Sequence, residues 1–184
     1  MSALRLGVNV LLFQAAWLCA VGGAAAGQDW LGSAAALAVV ALHAFTAARP
    51  VRELAGVLAV AALGFAWDSV PAAAGLIDYR GGAVGAAAPY WIAALWLSFA
   101  TTLNVSLRWL RGSWILGMCL GAVAGPLCYL AGAALGALEL VVMPGALLAQ
   151  AAAWAVLLPV TVALAARFDG VTTARQHTAV TASV

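Results

Sequence analysis

Asp68 is the one carboxylate inside an apolar stretch of the chain, LGFAWDSVPAAAGLI. An acid placed there costs ~2.5–3.5 kcal/mol on insertion scales and is a functional candidate by default, as a proton exchanger or a ligand-binding group. With Glu53 marking one membrane edge and 1.5 Å of rise per residue, Asp68 lies roughly 22 Å from that edge, in the outer third of a bilayer. Gly64, Trp67, Pro71 and Gly75 share its helix face. Tyr129 reaches a similar depth on another segment, and its hydroxyl is the candidate partner. The plainer alternative is a structural Asp bonded to Tyr129, to Ser69 or to backbone freed by Pro71.

A second polar set gathers near the opposite edge: Asn9, Gln14, His43, Thr101, Asn104 and Arg108. A neutral imidazole can act as a general base or bind a metal or haem. His43 has no second histidine within an apolar segment, since His177 lies in the tail, so neither metal nor cofactor is expected. A His43 bonded to a neighbouring Asn or Thr is the simpler reading. Arg108 with Asn104 suits a phosphate or carboxylate headgroup, set against a snorkelling charge that only fixes topology. The candidate ligand-binding set is therefore Asn9, Gln14, His43, Asp68, Thr101, Asn104, Arg108 and Tyr129. No catalytic residue is assigned, because no Walker, GxSxG, HExxH or dinucleotide motif occurs. Cys19, Cys119 and Cys128 show no metal or disulfide spacing.

These residues need helices to position them. In Pro89–Gly112, Ser98, Thr101, Asn104 and Arg108 fall within a sector of roughly 120° on a continuous helix. Lipid cannot satisfy such a stripe, so this helix is expected at the centre of a bundle, near helices 1, 3 and 5. Helix 5 aligns Gly117, Gly121, Gly125, Gly132 and Gly136 with Tyr129, a seam for close helix packing or for a partner membrane protein. Gly125-Pro126 is expected to kink it. Helix 6 places Gln150, Trp154 and Thr161 on one face.

Composition sets the class. Of 184 residues, 66% are hydrophobic and 8% charged, with a mean hydropathy of +1.07; soluble domains carry about 25% charged residues. The expected fold is all-α, a polytopic six-transmembrane-helix bundle over residues 1–167. Its helices run about Leu6–Ala26, Trp30–Ala48, Leu54–Ile77, Pro89–Gly112, Ser113–Leu138 and Met143–Arg167. The first is too long for a signal-peptide core. Residues 168–184 form a short polar tail expected to be disordered. Six spans place Arg5, Arg49, Arg52, Arg108, Arg111, Arg167 and Arg175 on one side and Arg80 alone on the other, so both termini are expected to be cytoplasmic. A net charge of +2 gives no reason to expect nucleic acid. No internal duplication is visible between the halves.

Several strings together resemble a known family. They are Asn9-x3-Phe13-Gln14-x2-Trp17, Asp68-Ser69, Trp96-x2-Phe99-Ala100-Thr101-Thr102-Leu103-Asn104-x-Ser106-Leu107-x-Trp109-Leu110, and Gly125-Pro126-x2-Tyr129-x2-Gly132. Over about Leu6 to Arg167 the chain resembles an uncharacterised bacterial inner-membrane family, domain-of-unknown-function family 2878. The resemblance implies a small multi-span inner-membrane protein and, through the genes that accompany the family, a link to membrane fatty-acid modification. It carries over no catalytic residue.

The leading expectation is a protein that holds a membrane lipid or small amphiphile in an intrabundle polar cavity. There, Asn104 and Arg108 hold the head while Asp68 with Tyr129 gates or orients it. A small proton-coupled transporter using Asp68, and a non-catalytic subunit or assembly factor docking through the helix-5 glycines, are the alternatives.

Overall fold

A computed structural model of the chain describes residues 1–171. Among them are six α-helices, α1 (Ala3–Ala25), α2 (Trp30–Thr46), α3 (Pro50–Ala73), α4 (Tyr90–Leu103), α5 (Trp114–Ala134) and α6 (Gly145–Arg167). Two short strands, β1 (Ile77–Tyr79) and β2 (Leu138–Leu140), follow α3 and α5, and a 3₁₀ turn, η1 (Arg108–Leu110), follows α4. The helices α1, α3, α5 and α6 are each long and apolar enough to cross a membrane, while α2 and α4 are shorter. This is an all-helical, membrane-embedded protein.

Local chemistry sets the helix starts. The Ser2 side chain accepts the Arg5 N–H and caps α1. Pro50 opens α3, where its missing N–H costs nothing. The ends depart from the expected ranges. Helices 3 and 5 were expected to continue to Ile77 and Leu138, but both stop at a glycine with positive φ, Gly75 at 67° and Gly136 at 82°. The chain then turns into β1 and β2, which pair antiparallel with Ile77 opposite Leu140 and Asp78 opposite Glu139.

This junction is built twice. Leu76 N–H donates to Pro71 C=O, and Ala137 N–H to Gly132 C=O, each at 2.9 Å. Arg80 N–H reaches Ala137 C=O while Val141 N–H reaches Leu76 C=O. Every bond on one side has its counterpart on the other, related by a local two-fold through the Asp78–Glu139 pair. The helices follow suit. A Cβ at Gly64 of α3 would sit 1.9 Å from the Trp96 ring of α4, and one at Gly125 of α5 would sit 2.3 Å from the Trp154 ring of α6. The units α3–β1–α4 and α5–β2–α6 thus repeat one design, although no duplication was legible in the sequence.

The centre of the bundle is α4, which packs against α1, α2, α3 and α6. Its expected neighbour helix 5 instead packs on α6, with Gly121 so close to the Trp154 carbonyl that a Cβ would meet it at 2.0 Å. Of the helix-5 glycines, Gly117, Gly121 and Gly125 pack on α6 of the same chain, as a close-packing seam does. A further difference concerns the tail. Phe168 lies against Gly56, and Gly170 is hydrogen-bonded to Arg49 and Glu53, so Phe168–Val171 belong to the packed structure. The remainder of the expected disordered tail, 172–184, lies outside the described residues.

Candidate functional site

The main cavity lies between α4 and α5, with α1 along one side, and has a volume of about 410 Å³. Its wall is apolar and aromatic, with Trp17, Trp91, Trp96, Trp109 and Trp154 contributing five of the eight tryptophans. The gap follows from broken symmetry between the two units. The helices α3 and α6 touch directly, whereas the corresponding α4 and α5 stand apart. The cavity runs from Tyr79 and Leu138 at the sheet end to Leu107, Trp109 and Leu110 at the η1 end.

Asp68 is the one carboxylate in this lining, and only 3% exposed. The Tyr129 hydroxyl donates to Asp68 Oδ1 and the Trp96 indole N–H to Oδ2 at 2.7 Å. These two donors answer the cost of burying the acid. Trp96 stacks on Trp154 with ring centroids 5.1 Å apart. The Trp154 indole N–H and the Tyr79 hydroxyl lie beside the Tyr129 hydroxyl but outside hydrogen-bonding geometry. Burial, then the charge of Asp68, pushes the Tyr79 phenol well above its ordinary value, so it stays protonated. Beyond Asp68, the Trp67 indole donates to Gln150 Oε1 at 3.3 Å, which ties α3 to α6.

A family model described as "Protein of unknown function (DUF2878)" matches residues 6–160. The chain belongs to the DUF2878 family. No curated protein and no solved structure matches it.

The matched region also holds most of a second polar cluster, at the other end of the bundle. Helix 4 was expected to continue to Gly112, carrying Asn104 and Arg108 on the same stripe as Ser98 and Thr101. It ends at Leu103, with Asn104 as the capping residue, and Arg108 is placed by η1 instead. Asn9 of α1 serves the backbone groups left at this early end. Its Nδ2 donates to Thr101 C=O at 3.3 Å, and its Oδ1 accepts from the Ser106 hydroxyl at 2.7 Å. Thr101 itself donates to Ser98 C=O within α4.

Glu53 organises this cluster, although in the sequence it marks only a membrane edge. It is 1% exposed. His43 Nε2 lies 2.9 Å from Oε1, Asn104 Nδ2 donates to both carboxylate oxygens, and Gly170 N–H donates to Oε2 at 2.7 Å. His43 was expected to meet an Asn or Thr, and it meets a carboxylate instead. Asn104 also accepts from Arg111 through Oδ1, and Arg108 and Arg111 both contact Asp169. Gln14 stands apart from this set, exposed on the outer face of α1. Of the expected ligand-binding residues, the cavity wall contains Asp68 and Tyr129, while Asn9, His43, Thr101, Asn104 and Arg108 form the separate cluster. No group of three His, Cys, Asp or Glu side chains among the described residues could hold a metal.

Proposed function

We propose that this protein accommodates the hydrocarbon part of a lipid or small amphiphile in the cavity between α4 and α5. The carrying observation is the cavity itself. Its volume of about 410 Å³ falls within the ~300–1,000 Å³ of small-molecule sites. Its wall is apolar, with the Asp68 carboxyl near one end and basic residues beyond the other. The exposed faces of α1 and α5 beside it carry Leu11, Leu18, Leu120 and Leu127, which supports entry from the hydrocarbon phase. A role near membrane fatty-acid modification fits the same reading.

The protein is then a six-span protein of the bacterial inner membrane, with α4 completed by η1. Arg5 donates to Thr46 C=O and Arg52 to Arg167 C=O. Arg111 contacts Asp169, so the arginines share one end of the bundle. By the positive-inside rule that end, with both termini, is cytoplasmic.

The test is native mass spectrometry with lipid extraction on gently purified protein. A stoichiometric lipid or amphiphile is expected in the wild type and lost in Ala124→Trp, which fills the groove from α5. Bare wild-type protein, or a bound lipid indifferent to Ala124→Trp, would sink the proposal.

A second reading, a small proton-coupled transporter, gains support from the repeated unit, because repeat interfaces are where such proteins hold substrate and coupling ions. Asp68 and Tyr129 lie at that interface. Proteoliposome uptake indifferent both to a pH gradient and to Asp68→Asn would remove it.

A further inference from the structure

Leu107, Trp109 and Leu110 line the end of the cavity remote from Asp68, while the intervening Arg108 and the following Arg111 turn to Asp169. Resting on the proposed hydrocarbon groove, we propose that Arg108 and Arg111 form the binding site for the phosphate of an anionic membrane lipid. Asp169 fills this site as an internal surrogate until the lipid displaces it.

The carboxylate leaves a donor of Arg111 unmet. Both guanidinium groups lie 2.9 Å from the same oxygen, Oδ2, and Oδ1 accepts the Val171 N–H. The Arg111 Nε is buried without a hydrogen-bond partner. A phosphate, with more oxygens around one centre, can serve both guanidinium forks at once. Arg111 borders open space, and both arginines are partly exposed. A small cavity of about 80 Å³ lies beside Arg111 between Gly112, Ser113 and Pro159, and the two arginine side chains are 26% and 24% exposed.

The surrounding charge favours the same ligand. Arg5 and Arg52 donate to backbone carbonyls, and neither forms a salt bridge among the described residues. This end of the bundle therefore attracts an anionic leaflet.

The surrogate belongs to a separable strap. Phe168–Val171 cross the start of α3, held by Arg49 N–H to Gly170 C=O at 2.8 Å and by Gly170 N–H to Glu53. The family match ends at residue 160, within α6, and does not reach the strap. A Cβ at Gly170 would meet the Arg49 carbonyl at 2.3 Å, so the strap seats only with glycine there.

Native mass spectrometry of the full chain in detergent, titrated with dioleoyl phosphatidylglycerol, dioleoylglycerol or inorganic phosphate, tests the proposal. Asp169→Asn and Gly170→Ala are expected to bind phosphatidylglycerol about fivefold more tightly than wild type, the scale of one partly exposed ion pair. Asp169→Glu should retain wild-type affinity. Arg111→Gln should bind phosphatidylglycerol no better than dioleoylglycerol, whose binding should not change in any variant. Where one strap variant yields no folded protein, the other carries the comparison. Unchanged or weaker phosphatidylglycerol binding in the strap variants would overturn the proposal. So would inorganic phosphate binding as tightly as the lipid, which would assign the arginines to a free anion. Phosphatidylglycerol binding that depends on Asp169, without dioleoylglycerol binding in any form, would uphold the arginine site and reject the hydrocarbon groove alone.

Discussion

Asp68 and Tyr129 occupy equivalent positions in the two repeated units, and they hydrogen-bond to each other across the interface between those units. Each lies four residues after the glycine that admits a tryptophan ring, Gly64 for Trp96 and Gly125 for Trp154. Each lies seven residues before the positive-φ glycine that ends its helix. One unit thus contributes an acceptor where the other contributes a donor, and the pair binds the two halves at the floor of the cavity.

If the two units are equivalent, their glycines should fail alike. Gly64→Ala and Gly125→Ala each push a methyl group into a buried indole, and each should cost about 1–3 kcal/mol through overpacking. Thermal unfolding in detergent measures both. A large loss in one with none in the other would break the equivalence.

Tyr129→Phe removes the donor to Asp68 Oδ1 and leaves the buried acid with the Trp96 N–H. The expected loss is about 1–3 kcal/mol. Tyr79→Phe, which removes a hydroxyl that has no partner, should be close to neutral or slightly stabilising. Equal destabilisation by the two would show that the Asp68–Tyr129 bond has no special weight.

Glu53→Ala should cost about 3 kcal/mol or more, because it strips acceptors from His43, Asn104 and Gly170 together. Arg52→Ala, one residue away but exposed, should stay within about 0.5 kcal/mol. The yield of folded protein and its melting temperature distinguish them.

Strap seating should depend on acid. Burial alone would raise the Asp169 carboxyl, but the Arg111 hydrogen bond, the charges of Arg108 and Arg111 and the Val171 N–H hold it below its ordinary 3.8. A lowered folded value means that its contribution is complete above pH 3.8 and disappears as pH falls through that lower value. Hydrogen exchange at the Gly170 amide, corrected for the intrinsic rate, should show protection at neutral pH and its loss in strong acid. Asp169→Asn should show reduced protection throughout.

Much was legible from residue type and depth. The apolar runs marked the helices, since a chain that buries its backbone in hydrocarbon must hydrogen-bond it internally. The depth of Asp68 pointed to Tyr129 because helical rise is constant. Glu53 was hidden by its neighbours. Set directly after Arg52 and four residues beyond Arg49 at a helix start, it has the sequence of a solvated helix end, and the return of Phe168–Val171 over α3 covers it. Asn104 was placed on a continuous helical stripe, but α4 stops one residue earlier, so the neighbours of Asn104 and Arg108 are set by a turn rather than by helical period.

The sequence by itself determined the class of protein, its apolar segments and the single acid among them, because these follow from composition and local period. Only the tertiary structure decided that α4 and α5 stand apart where α3 and α6 touch, that a strap closes over Glu53, and that one unit is built twice. The reason is physical. Equivalence between the units resides in backbone turns and glycine–tryptophan packing, while the residues that meet across the interface, an acid and a phenol, differ because they must complement each other.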